Sequence, residues 1–124
     1  MFLHTRLKVR DMDRAIAFYT THLGFTVRQR STSPRGTQLT FLALEGTPTE
    51  LELAFLPWDP DFQLDEDIFH LAFLVKDVPE ALARMREAGV KITEEASERS
   101  AGGHMAFIED PDGYEIELLS GPGL

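Results

Sequence analysis

Four side chains in this sequence could hold one metal ion: His4, Glu52, His70 and Glu117. His4 opens the stretch His4-Thr5-Arg6-Leu7-Lys8-Val9-Arg10-Asp11, and His70 opens His70-Leu71-Ala72-Phe73-Leu74-Val75-Lys76-Asp77. With the histidines aligned, Leu7 matches Phe73, Val9 matches Val75, Arg10 matches Lys76 and Asp11 matches Asp77, all at one offset. Glu52 lies in Leu51-Glu52-Leu53-Ala54 and Glu117 in Ile116-Glu117-Leu118-Leu119, at nearly the same offset. A histidine therefore starts and a glutamate ends each half, and the separation from His4 to Glu52 nearly equals that from His70 to Glu117. Two imidazoles and two carboxylates suit Ni, Co, Zn, Mn or Fe(II) and leave room for waters in an octahedral shell. Taken singly, each residue has an ordinary reading. A histidine on an apolar strand is usually a hydrogen-bonded core residue, and a glutamate between leucines usually marks the solvent side of an alternating strand. The correlation between the halves favours the metal, because a solvated face has no reason to repeat the order His first, Glu last.

The elements that must position these residues follow from pattern. Residues 2–10 and 68–75 are apolar and β-rich and read as strands. Asp11 and Asp77 are good helix N-caps, and Pro79 falls in a first turn, where proline is tolerated. Helices run from Met12 to Gly24, with Met12, Ile16, Phe18, Tyr19 and Leu23 as the apolar stripe, and from Val78 to Gly89, with Val78, Leu82 and Met85. Gly24 and Gly89 stand where a left-handed C-terminal residue is wanted. Strands follow at about 25–30, 37–45 and 50–56, and again at 90–93, 103–109 and 114–119, with turns at 33–36, 45–48 and 110–113. Each half is thus a βαβββ module: module 1 covers about 1–57, a polar linker about 58–67, and module 2 about 68–124. The fold class is α+β, with two concave mixed sheets around a metal site. Alternation puts His4, Arg6 and Lys8 on one face of the first strand.

Composition excludes other chemistries. The chain of 124 residues has no cysteine, which removes disulfides, thiolate metal sites and thiol catalysis. Its net charge of −9 opposes binding to phosphate backbones, so nucleic acid is not an expected partner. No apolar run approaches the roughly 18–20 residues of a membrane span. No signal-peptide core stands at the N-terminus, so the expected location is cytoplasmic.

The two matching starts, together with Arg14-Ala15-Ile16-Ala17-Phe18-Tyr19, Leu23-Gly24-Phe25 and the run Ala106-Phe107-Ile108-Glu109-Asp110-Pro111-Asp112-Gly113-Tyr114-Glu115-Ile116-Glu117-Leu118, resemble the glyoxalase I (lactoylglutathione lyase) family of the vicinal oxygen chelate superfamily. The resemblance covers nearly the whole chain. It implies the glyoxalase/bleomycin resistance/dihydroxybiphenyl dioxygenase-like fold and a metal held by His4, Glu52, His70 and Glu117. Glu52 is the informative position. Extradiol dioxygenases and fosfomycin-modifying enzymes use three protein ligands, and methylmalonyl-CoA epimerases carry Gln there. The short chain, by the same resemblance, implies one divalent metal per site, Ni or Co ahead of Zn.

The implied reaction converts a 2-oxoaldehyde–thiol hemithioacetal to a 2-hydroxyacyl thioester, as in methylglyoxal detoxification. Glu117 is the expected catalytic base, with Glu52 as the opposing carboxylate. The family's glutathione-gripping Arg and Asn fall on Lys8 and Leu56, the expected substrate-binding residues, and a basic residue of some members falls on Gly103. Lys8 keeps the charge without the bidentate fork, and Leu56 cannot hydrogen-bond. The thiol is therefore open between glutathione and another low-molecular-weight thiol. Phe41, Leu56, Trp58 and Met105 are candidate pocket walls, and His104 lies in a loop that could cover the site. The resemblance further implies a homodimer with sites at the interface. Two other classes remain: another metal enzyme of this fold (an epimerase or dioxygenase), and a small-molecule binding or resistance protein.

Overall fold

The computed structural model describes all residues, Met1–Leu124. The chain forms two compact units, Met1–Gln63 and Leu64–Leu124.

Unit 1 runs β1 (His4–Lys8), α1 (Met12–Leu23), β2 (Thr26–Thr32), β3 (Gln38–Leu44) and β4 (Thr47–Phe55). Its sheet has the order β1-β4-β3-β2, with β1 parallel to β4 and the other pairs antiparallel. Unit 2 repeats this with β5 (His70–Leu74), α2 (Val78–Glu87), β6 (Lys91–Glu98), β7 (His104–Glu109) and β8 (Glu115–Leu119), in the order β5-β8-β7-β6. Each unit is the βαβββ module expected from the sequence.

Local chemistry sets the helix ends. The Asp11 carboxylate accepts from the Arg14 backbone N–H, and Asp77 accepts from that of Glu80. Both caps are extended residues, as an N-cap requires. Helix α1 ends on Gly24 at φ 76°, and the Phe25 N–H closes back on the Tyr19 carbonyl. The stripe of α1 differs from the one expected. Met12, Ala15, Phe18 and Tyr19 are buried, while Ile16 and Leu23 are only partly so. In α2 the buried residues are Val78, Ala81, Leu82 and Met85. The repeat therefore continues through the helices: Met12, Ala15 and Tyr19 match Val78, Ala81 and Met85 at the offset that relates His4 to His70. The alanine in each set lets the helix backbone approach the sheet closely.

Each helix covers one sheet face. Leu7, Leu42, Leu51 and Leu53 point into the core of unit 1, and Ala106, Ile108, Ile116 and Leu118 into that of unit 2. The opposite face of each sheet is free of helix. Strand boundaries differ most at β6, which reaches Glu98 although only 90–93 read as strand. Its Thr93-Glu94-Glu95 run is exposed and breaks the alternation, and the pairing with β7 shifts register twice. The β3–β4 turn is tighter than read, with Glu45-Gly46 alone between the strands and Gly46 at φ 81°.

The polar segment after β4 is not all detached chain. The Asp59 N–H bonds the Leu56 carbonyl, and Phe62 is buried in unit 1. The Arg10 guanidinium lies 4.3 Å over the Phe62 ring and donates to the Phe62 carbonyl at 2.5 Å.

Candidate metal-binding half-sites

The helix-free face of each sheet carries one histidine and one glutamate in contact. In unit 1 the register places Glu52 between Arg6 on β1 and Phe41 on β3. His4 is two residues along β1 from Arg6, so its ring reaches diagonally to Glu52, with Nε2 3.5 Å from Oε2. In unit 2 Glu117 lies between Ala72 on β5 and Phe107 on β7. His70 Nε2 is 3.3 Å from Glu117 Oε1. Each imidazole also packs edge-on against a phenylalanine, His4 on Phe41 at 5.3 Å and His70 on Phe107 at 5.4 Å. These rings fix the plane in which each imidazole presents its nitrogen. Phe107 was not among the residues singled out from the sequence, although it matches Phe41 at the offset of the two histidines and the repeat contained the signal.

The donor spacing fits a metal. Ligands about 2.1 Å from a cation in neighbouring positions lie roughly 3.0–3.4 Å apart across octahedral or tetrahedral edges. The His70–Glu117 separation, 3.3 Å, lies within that range, and the His4–Glu52 separation, 3.5 Å, lies just above it. Each unit holds one such pair of donors.

The halves differ in one respect. Arg6 donates through Nε to Glu52 Oε1, which leaves Oε2 toward His4. Ala72 occupies the equivalent place beside Glu117. The Glu52 side chain is 4% exposed and that of Glu117 19%. One carboxylate is buried and clamped by a guanidinium, and the other is more open and lacks that clamp.

The rest of each open face is charged. In unit 1 Arg28 forks onto Glu50, with Nη2 2.8 Å from Oε1, and lies 5.2 Å over the Phe41 ring. The Glu50 hydrogen bond, opposed by desolvation and helped by the Glu50 charge, holds the Arg28 pKa above its ordinary value. In unit 2 Lys91 bonds Glu109 at 2.8 Å, and that bond followed by the Glu109 charge raises the lysine's pKa.

The remaining expected site residues fall as follows. Lys8 shares the open face with His4 and Arg6, and its ammonium pairs with Asp59. Leu56 directly follows β4 and is partly exposed. Trp58 is half-exposed under the Arg35 guanidinium, 4.4 Å from it. Met105 shares the open face of β7 with Phe107. His104 does not lie in a covering loop. It is the first residue of β7, its backbone is paired with Ser120, and alternation places it on the opposite face from Phe107. No side chain fits at Gly103, because a Cβ there would lie 2.0 Å from the Ser120 carbonyl oxygen.

Residues 2–118 match the model of the Glyoxalase/Bleomycin resistance protein/Dioxygenase superfamily. A lactoylglutathione lyase of Salmonella typhimurium is 36% identical over 121 residues, spanning 94% of this chain and 90% of that protein. Among solved structures, a trypanothione-dependent glyoxalase I of Leishmania major superposes with a TM-score of 0.83 at 41% identity, over 97% of this chain and 86% of that one. The antibiotic-binding protein TnmS3 from Streptomyces superposes with a TM-score of 0.77 at 25% identity, over 98% of this chain and 96% of its own. The architecture thus serves both catalysts and binders, and the site has to decide between them.

Proposed function

Because this chain belongs to the glyoxalase/bleomycin resistance protein/dioxygenase superfamily, we propose that it is a metal-dependent, glyoxalase I-like lyase acting on the hemithioacetal of a 2-oxoaldehyde and a low-molecular-weight thiol. The observation that carries this reading is the His–Glu–Phe arrangement built twice, at equivalent register, on helix-free sheet faces. A buried carboxylate beside an imidazole, repeated in both halves, suits a metal enzyme better than a binder of organic molecules. A metal enzyme that must move a carbon-bound proton has a use for two.

His4, Glu52, His70 and Glu117 would hold one divalent cation, Ni or Co ahead of Zn. A homodimer in the cytoplasm is the corresponding assembly and location. When bound, the cation would supply positive charge that stabilises the anion left by removal of a carbon-bound proton. The chain's own residues do the rest. Proton abstraction from the thiol-bearing carbon, next to the carbonyl, needs a carboxylate that can leave one contact and make another. Glu117 is suited to this because Ala72 offers it no competing donor. Glu117 takes the proton from the hemithioacetal carbon and returns it to the neighbouring carbon, giving a 2-hydroxyacyl thioester. Glu52, held by Arg6, keeps its place through the cycle. His4 and His70, braced by Phe41 and Phe107, remain as fixed ligands.

The test is an isomerase assay on chelator-treated protein, with Ni, Co, Zn and Mn restored in turn and methylglyoxal hemithioacetals as substrates. Thioester formation that requires metal is expected. Tight metal binding with no thioester from any hemithioacetal would refute the reading and leave the epimerase and dioxygenase alternatives.

A further inference from the structure

Three cations on the open face of the unit 1 sheet already have an anion. Arg6 is bonded to Glu52, Arg28 to Glu50, and Lys8 to Asp59. The third pair matters for substrate choice. Lys8 lies four residues beyond His4 on the same side of β1, roughly 13 Å along the strand at about 3.3 Å per residue. A substrate that reacts beside His4 and Glu52 and extends along β1 brings its far end to Lys8. The carboxylate there comes from outside the sheet. After β4 the chain turns through Leu56, with the Asp59 N–H on the Leu56 carbonyl, and brings Asp59 back over β1. Burial of Phe62 and the Arg10 bond to its carbonyl hold this turn in place independently of the ion pair, and the Lys8 ammonium also lies 5.1 Å over the Phe62 ring.

We infer that Asp59 is a specificity-determining residue that turns this end of the site against anionic thiols. A substrate carboxylate arriving at Lys8 meets a cation whose charge is already matched. To bond it, the newcomer must either displace Asp59, which leaves that carboxylate without its partner, or share the ammonium with it and meet the repulsion of a second carboxylate. A thiol whose far end is uncharged or carries an ammonium group meets no such cost, and an ammonium can share the Asp59 carboxylate. The excess of acidic residues, giving a net charge of −9, acts in the same direction at longer range. The preferred cosubstrate class is therefore a thiol without a free carboxylate at its distal end. The inference rests on the isomerase reading for the direction in which substrate lies along β1.

Its test separates binding from turnover. Calorimetry on the metal-loaded protein compares S-methylglutathione with its diethyl ester, which differ only in their carboxylates. The native protein should bind the ester more tightly. Asp59→Asn should remove the opposing charge beside Lys8 and change the ester-to-acid ratio by about tenfold toward the acid. Asp59→Glu, which keeps the carboxylate, should restore the native preference. Tighter acid binding by the native protein, or a ratio that Asp59→Asn leaves unmoved, overturns the inference even if isomerase activity is present. If the preference appears as expected while neither hemithioacetal is turned over, the inference stands and the isomerase reading fails.

Discussion

Replacing Gly103 by alanine should cost far more stability than the same change at Gly46, although the two backbones are nearly alike. Both are left-handed, at φ 78° and 81°. Alanine loses about 1–2 kcal/mol in that conformation at either site. The surroundings separate them. A Cβ on Gly46 meets nothing within 4 Å. A Cβ on Gly103 would lie 2.0 Å from the Ser120 oxygen, 2.5 Å from its carbonyl carbon and 2.7 Å from the Gly121 Cα, all backbone atoms that no rotamer change can move. The strand ends must part by more than an ångström. That breaks or stretches the His104 N–H bond to the Ser120 carbonyl at 3.2 Å, the reciprocal bond at 2.9 Å and the Arg99 N–H bond to the Gly103 carbonyl at 3.0 Å. It also loosens Arg99, whose Nη1 bonds the carbonyls of Gly102, Ser120 and Pro122. At about 1 kcal/mol for each lost bond, the contact adds roughly 2–4 kcal/mol. For a chain of this size about 1 kcal/mol corresponds to about 4 °C, so Gly103→Ala should lower the unfolding midpoint by roughly 12–24 °C and Gly46→Ala by about 4–8 °C. Thermal unfolding followed by circular dichroism, with and without metal, measures both. Equal shifts for the two variants would refute the reasoning, since the close approach of 102–103 to 120–121 would then constrain nothing.

Two further outcomes follow from the same structure. Glu117→Gln should lower kcat by about 10²–10⁴-fold, the usual contribution of a positioned base, while the protein stays folded and binds metal more weakly; a nearly normal rate in a steady-state assay would remove Glu117 from the mechanism. Thr40 is fully buried on the helix side of β3, and no protein group bonds its hydroxyl. Thr40→Val should therefore raise the unfolding midpoint by about 4 °C, for about 1 kcal/mol of relieved desolvation, and a lowered midpoint would show that the hydroxyl is satisfied.

The repeat was legible because it is written in local chemistry. An aspartate before each helix, a glycine after it and alternating apolar residues on each strand are read from short windows, and one constant offset carries them from the first half to the second. The pairing of each histidine with its glutamate was legible for the same reason, since strand alternation and equal spacing put both on one face. The apolar stripe of α1 was read less well. Its centre is Ala15, a residue whose small size marks close packing but carries little hydrophobic signal.

What only the tertiary structure decided concerns charge. Arg6 and Ala72 are equivalent by offset, yet sequence does not reveal that the first clamps a carboxylate and thereby separates the roles of Glu52 and Glu117. Asp59 reads from the sequence as part of the polar linker, and the fold turns it back onto Lys8 on a distant strand. Gly103 read as a missing basic residue, and the crossing of two backbones shows why no side chain fits. Hydrophobic patterning is periodic and therefore visible along the chain. An ion pair or a close backbone approach between distant residues has no period, and it exists only once the strands are in register.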